Sequence, residues 1–302
     1  MSLVENAIKR LAESNGREKG QSGGDVGSAP PYGPSRGARS IGVSPTPNVD
    51  LRPPVPQKPP RQIDFAALRA AGMLAAEHER KSFSHVFRNI KRPILARAAQ
   101  RGTGSPENAR ANVLLVTSAV PGDGKTFTAI NLALSLALEK DKQVILIDGD
   151  VVRRELSRRL GFGGEGGLID LLEDPSRSLD EFLLQTDVPS LMVLPAGNTS
   201  QHATELLSSG RMRSILEQCS SSRDSLVIFD SSPLLLTTES AAIAELAGQA
   251  LLVVREGYTT KDMILRALPR LQACPSVSLL LNQSLSSPDG GYGYEYGEAA
   301  QV

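Results

Sequence analysis

The architecture turns on Val113-Leu-Leu-Val-Thr117-Ser118-Ala-Val-Pro121-Gly122-Asp123-Gly124-Lys125-Thr126-Phe127-Thr-Ala-Ile-Asn-Leu-Ala-Leu-Ser-Leu-Ala-Leu138. An apolar, β-branched run enters a short glycine loop and leaves as an apolar stretch long enough for a helix. A strand, a glycine loop and a helix N-terminus carrying GK[ST] make the Walker A arrangement. Glycines let backbone N–H groups close around a polyphosphate, and the helix N-terminus adds partial positive charge. Lys125 then reaches the β and γ phosphates, and the Thr126 hydroxyl is set for Mg²⁺. Ala119 holds the first loop position, where the motif has Gly.

Further apolar runs surround this unit. Strands are expected at Val113 to Thr117, Gln143 to Ile147, Leu191 to Leu194, Ser225 to Phe229, Ala250 to Val254 and Val277 to Leu281, alternating with helical patterns. These runs lack polar alternation, as strands covered by helices on both faces do. The fold class that follows is α/β: a three-layer P-loop NTPase domain with a mostly parallel central sheet. Two runs end in carboxylates, Ile147-Asp148-Gly-Asp150 and Phe229-Asp230-Ser-Ser-Pro233. Taken singly, an Asp there is usually a helix cap or turn residue. Three beside a P-loop at one end of a parallel sheet, where such sheets bind ligands, point to metal and proton chemistry.

The flanks differ in composition. Ten of the 20 prolines lie between Pro30 and Pro60, so 17–62 reads as a disordered Pro/Gly/Ser-rich linker that cannot bury enough apolar surface to fold. Within it, Pro56-Gln-Lys-Pro59-Pro60-Arg61 fits a PxxPxR pattern, which proline-rich composition also generates by itself. Ahead of the linker, Leu3, Ala7, Ile8 and Leu11 give 1–16 the spacing of a short amphipathic helix, a docking element or a frayed end. A helical lead-in from Ile63 is expected to be interrupted at Pro93, and the P-loop domain spans 63–286. In the tail, 287–302, three of the five tyrosines crowd into Gly-Gly-Tyr292-Gly-Tyr294-Glu-Tyr296-Gly, where they serve no core and suit an acceptor that must reach an active site.

The 302 residues carry 33 basic and 33 acidic side chains, so no global field draws the chain to nucleic acid. Cys219 and Cys274 match no metal-ligand spacing, which fits a reducing cytoplasm. No apolar run approaches the roughly 20 residues of a membrane span. The first 16 residues lack the order of a secretory signal.

Together these residues resemble the bacterial tyrosine kinases, which use a P-loop fold, and within them the exopolysaccharide-associated tyrosine autokinases. Ser118 to Thr126 resembles their Walker A, Ile147 to Asp150 their Walker A′ and Phe229 to Pro233 their Walker B. Leu194-Pro-Ala-Gly197, Ala203-Thr-Glu-Leu-Leu207 and Phe87-Arg88-Asn-Ile-Lys91-Arg92-Pro93 extend the likeness. It implies an ATP- and Mg²⁺-dependent autokinase that phosphorylates Tyr292, Tyr294 and Tyr296 between subunits of a homo-oligomer and regulates exopolysaccharide assembly.

In that reading Pro121 to Phe127 bind nucleotide, with Asn282 at the adenine edge or in a turn. Thr126, Asp148 and Asp230 organise Mg²⁺, while Asp150, or alternatively Asp148, takes the tyrosine proton. The family's assembly motif Glu-x-x-Arg-x-x-Arg aligns here with His85, Arg88 and Lys91. Its Arg after the second Asp aligns with Val152, so that Arg153 either substitutes for it or is merely solvated. The resemblance further implies a cytoplasmic chain recruited to the membrane by a polysaccharide chain-length (co-polymerase) activator protein. Two rivals remain: a dimeric partitioning or positioning ATPase, whose second loop lysine is replaced here by Val120, and a non-catalytic nucleotide-gated scaffold.

Overall fold

A computed structural model describes residues 59–74 and 80–284, with the backbone alone described at 80–85. The expected helix at 1–16, the linker as far as residue 58 and the tyrosine tail lie outside the described residues.

Seven strands form one sheet: β1 (Val113–Ser118), β2 (Gln143–Gly149), β3 (Leu184–Gln185), β4 (Leu191–Leu194), β5 (Ser225–Ser231), β6 (Gln249–Arg255) and β7 (Val277–Asn282). Their order is β3-β4-β2-β5-β1-β6-β7, parallel throughout except for β3 against β4. This is the mostly parallel α/β sheet expected. Successive side chains of a strand point to opposite faces, and two separate cores follow. Val113, Leu115, Ile145, Ile147, Val227 and Phe229 join one, and Leu114, Val116, Val144, Leu146, Leu226 and Ile228 the other. Both faces are therefore dry, which is why the runs show no polar alternation.

The second core is roofed by α1 (Phe65–Ala70), α2 (Arg80–Ala98), α3 (Lys125–Leu136) and Leu156 of α4 (Glu155–Arg159). The first is covered by α5 (Leu168–Glu173), α6 (Ala203–Leu207), α7 (Gly210–Ser220), α8 (Glu239–Ala244) and α9 (Lys261–Ala267). In α3, Ile130, Leu132 and Leu136 are at most 1% exposed, each contributing about 1.5–3 kcal/mol by burial. That anchorage fixes the helix whose first residue is Lys125.

Three details correct the sequence reading. Pro93 does not interrupt the lead-in but lies inside α2. Contacts on both sides of it offset the lost backbone bond: Phe87 and Ile94 are buried in the core, and Lys91 Nζ donates to the Ser135 carbonyl at 3.0 Å and pairs with Glu139 at 2.6 Å. The ladders of β2 and β5 run past their apolar stretches, pairing Asp148 with Asp230 and Gly149 with Ser231. Finally, β3 is an additional strand of two residues. Its outer side is bridged by Arg61, whose N–H donates to Gln185 O at 2.8 Å while Asp187 N donates to Arg61 O at 2.9 Å. Among the described residues no helix is long and apolar enough to cross a membrane.

Candidate functional site

β1 delivers the chain into a loop that turns on two glycines with left-handed backbones, Gly122 (φ 87°) and Gly124 (φ 94°). Side chains rarely adopt that conformation. At Gly124 there is also no room: an added Cβ would lie 2.0 Å from Asn282 Nδ2. Asn282, at the end of β7, donates from Nδ2 to the Asp123 carbonyl at 2.8 Å. The Asp123 carboxylate is held from the other side by the Thr259 hydroxyl. Burial pushes the Asp123 pKa up, opposed by that hydroxyl. Asp123 thus clasps the loop to Asn282 and Thr259.

The loop opens onto a cleft of about 360 Å³ lined by Gly122, Gly124, Lys125, Thr126, Phe127 and Asn282. Pro121 and Asp123 are in the loop but do not line the cleft. Gly72 and Met73 add a wall that motif reading missed, held by Asn131 Nδ2 donating to Met73 O at 2.8 Å. No spacing rule links a turn after α1 to the middle of α3.

Beneath the loop the predicted carboxylates converge. Lys125 Nζ lies 3.2 Å from Asp150 Oδ2 and 3.5 Å from Thr126 Oγ1. Desolvation pulls the Lys125 ammonium down, but Asp230 and then Asp150 outweigh it and hold its pKa above the ordinary lysine value. Asp150 Oδ1 accepts from Ser232 Oγ at 3.1 Å and from the Arg153 N–H at 3.3 Å. Arg153 therefore meets the site through its backbone, and its residue is exposed.

Asp148 has different surroundings. Its Oδ2 accepts from Ser157 N at 2.8 Å and Ser157 Oγ at 2.6 Å, and its Oδ1 from Asp150 N at 3.2 Å. Burial raises its pKa to about 6, and the Ser157 bonds limit the rise. Asp230 is fully buried, and neither of its oxygens has a hydrogen-bond partner of normal length among the described residues. Burial pushes its pKa up to about 8, against the pull of the Lys125 ammonium and the nearby Thr126 hydroxyl.

This donor set fits a small divalent cation. A buried carboxylate whose oxygens have no hydrogen-bond donor at normal length, and which the Lys125 ammonium and Thr126 hydroxyl offset only in part, is costly unless a further positive charge completes it. Among the described residues no cluster of three His, Cys, Asp or Glu side chains could grip a metal alone. Mg²⁺ needs none, since it takes one or two carboxylates and fills its shell with phosphate oxygens and water.

Of the assembly-motif positions, Lys91 is engaged within its own chain by Glu139, Arg88 is exposed, and the His85 side chain lies outside the described residues. Ser157 and Thr259 are polar partners that no motif or spacing singles out. Ser232 was within the quoted Asp230-Ser-Ser-Pro233 run, but without a role.

A profile of the adenylylsulphate kinase family matches residues 110–169. That stretch holds β1, the glycine loop, α3 and β2 but stops short of Asp230. Longer likenesses extend past it. The tyrosine-protein kinase ptk of Acinetobacter johnsonii is 33% identical over 186 residues, 61% of this chain and 25% of the relative. The chain thus spans about a quarter of that protein's length. The tyrosine-protein kinase YwqD of Bacillus subtilis (strain 168) is 32% identical over 183 residues, 60% of this chain and 76% of the relative. Among solved structures, the kinase domain of the Escherichia coli tyrosine kinase ETK superposes with a TM-score of 0.54 at 29% identity, over 62% of this chain and 73% of that one.

Proposed function

The chain belongs to the bacterial tyrosine-protein kinases, and from that premise we propose that it is an ATP- and Mg²⁺-dependent autokinase acting on its own tail tyrosines. The observation that carries this is the unpartnered Asp230 carboxylate beside Thr126, facing the Lys125–Asp150 ion pair under the glycine loop. Thr126 and Asp230 would hold Mg²⁺, with Asp148 acting through bound water because Ser157 already occupies its Oδ2. The metal would supply charge neutralisation on the transferring phosphate.

Phosphoryl transfer asks mainly for position and charge. The loop amides and Lys125 bind the β and γ phosphates. As Lys125 turns to phosphate it releases Asp150 Oδ2 from their ion pair. The bond between the γ phosphorus and its bridging oxygen breaks, leaving that oxygen on ADP, while the tyrosine oxygen bonds to phosphorus and its proton passes to Asp150. Asp148 is the alternative for that proton; Asp150 is preferred because, among the described residues, its Oδ2 is held by Lys125 alone and is freed as the lysine moves to phosphate.

Tyr292, Tyr294 and Tyr296 are the proposed acceptors, reached between subunits of a homo-oligomer. Each phosphate adds about −1.5 to −2 charges, so a modified tail should leave a carboxylate-lined site and loosen the assembly. We further propose that the chain acts at the cytoplasmic face of the membrane, recruited by a polysaccharide co-polymerase, and regulates exopolysaccharide assembly.

Mass spectrometry of the purified chain before and after Mg-ATP tests the reading. Phosphate should appear on the tail peptide and be absent in Lys125→Met. ATP hydrolysis with no phosphotyrosine would favour the partitioning ATPase, and nucleotide binding with neither would favour the scaffold. Mixing the Lys125→Met chain with an active chain whose tail tyrosines are Phe should place phosphate on the inactive partner.

A further inference from the structure

We infer that Ser157 is a positioning residue for Asp148 and that it couples this carboxylate to the loop following β4. The inference deepens the reading above and rests on its assignment of Asp148 to the metal-organising carboxylates.

Ser157 is 2% exposed, and its N–H and hydroxyl converge on a single oxygen, Asp148 Oδ2, at 2.8 and 2.6 Å. Its Oγ in turn accepts the Ala196 N–H at 3.0 Å. A hydroxyl carries one hydrogen. With Ala196 donating to the oxygen, that hydrogen is committed to Asp148. A helix serine with only a packing role commonly bonds back to its own preceding turn. Here the side-chain partners lie 9 and 39 residues away, on β2 and beyond β4.

The donor at Ala196 is itself fixed. Ile169 N donates to Ala196 O at 3.0 Å, and Leu168 N donates to Pro195 O at 2.8 Å. Asp170 Oδ2 accepts from Gly167 N at 2.8 Å and Asn198 N at 3.1 Å, and Arg154 Nη1 donates to Gly197 O at 3.1 Å. The cross-linked loop sets the hydroxyl, and the hydroxyl sets the rotation of the carboxylate. Oδ1, which takes only the Asp150 N–H at 3.2 Å, is left with the capacity to accept from cation-bound water. Partners of this outer kind typically change metal affinity or activity by about 10–100-fold when removed.

The test is ADP binding to the full chain by calorimetry, with and without Mg²⁺, in wild type, Ser157→Ala, Ser157→Thr and Ser157→Cys. Mg²⁺ should tighten ADP binding in wild type. In Ser157→Ala that gain should shrink about tenfold while metal-free ADP affinity stays unchanged, and Ser157→Thr, which keeps the hydroxyl, should restore it to within about twofold. Should the alanine variant not fold, Ser157→Cys keeps the volume with a weaker donor and must show the same loss relative to Thr. An unchanged gain in Ala and Cys, an equal loss in Thr, or a fall in ADP affinity that ignores Mg²⁺ would overturn the inference. No gain from Mg²⁺ in wild type would overturn the metal assignment itself, and this inference with it.

Discussion

Asp148 closes the apolar run of β2 and Asp230 that of β5, and the two are direct partners across the parallel ladder. Asp148 receives three hydrogen bonds, from Asp150 N and from both donors of Ser157, and its pKa rises only to about 6. At Asp230 burial raises the pKa to about 8, and neither oxygen has a partner of normal length among the described residues. The two strand ends are alike in sequence and in depth, so strand position dictates only where a carboxylate arrives. What it can do there depends on donors brought by other elements. Burial costs both ends: at β2 the protein's own donors offset most of that cost, whereas at β5 Lys125 and Thr126 offset less of it and a larger cost is left for a ligand to relieve.

Substitution by Asn at the two ends should therefore act with opposite signs on stability, because only at Asp148 would the new amide nitrogen meet protein donors. Asp230→Asn should lower transfer by about a thousand-fold or more, since it removes the unpartnered carboxylate proposed for the metal. The same change should raise the melting temperature of the nucleotide-free protein at pH 8, by on the order of 5 °C. In the unfolded chain this carboxyl ionises at about 4, and burial in the folded chain pushes its pKa up to about 8. Folding thus takes up a proton between those values, and wild-type stability falls as pH rises through the interval. Thermal melts at pH 5, 6.5 and 8 check this, and parallel slopes in wild type and Asp230→Asn would break the contrast.

Asp148→Asn should cost about 10–100-fold in transfer and also destabilise the fold. Its amide nitrogen would face the Ser157 or Asp150 donors, at about 2 kcal/mol or roughly 4–8 °C. A rise in melting temperature like that expected for Asp230→Asn would make the two ends equivalent. Thr126→Val removes the hydroxyl next to Asp230 and should lower transfer about tenfold with little change in melting temperature. A loss confined to metal-free nucleotide binding would detach Thr126 from the β5 end. The smallest effect is expected of Arg153→Ala: its contact to Asp150 is through the main chain, so transfer should stay within about twofold. A tenfold loss in a kinetic assay would give the guanidinium a role in the reaction.

The sheet was legible because runs such as Val144 to Ile147 and Leu226 to Phe229 are buried on both faces, a condition that dictates composition. β3 was not, since two residues, Leu184 and Gln185, are too few to display a period. Pro93 misled because local backbone chemistry argues for a break that Phe87, Ile94 and Lys91 offset from outside the helix. In the site, Lys125, Thr126, Asp148, Asp150 and Asp230 were readable from strand ends and the loop. Ser157, Thr259 and the Gly72–Met73 wall were not, because they are set by where separate loops meet in space.

The Arg61 bridge along β3 has a bearing on self-association. An open sheet has two margins whose unpaired amides and carbonyls can template a foreign strand. Here the β3 margin is sealed by Arg61, and its guanidinium is pinned to Glu165 at 2.6 Å. The β7 margin has no strand beyond it among the described residues, and Leu281 there is 54% exposed. Among the described residues the sheet is thus covered at its β3 margin by Arg61, and removing the chain through Arg61 would bare that margin to strand addition while leaving Lys125, Asp148, Asp150 and Asp230 in place.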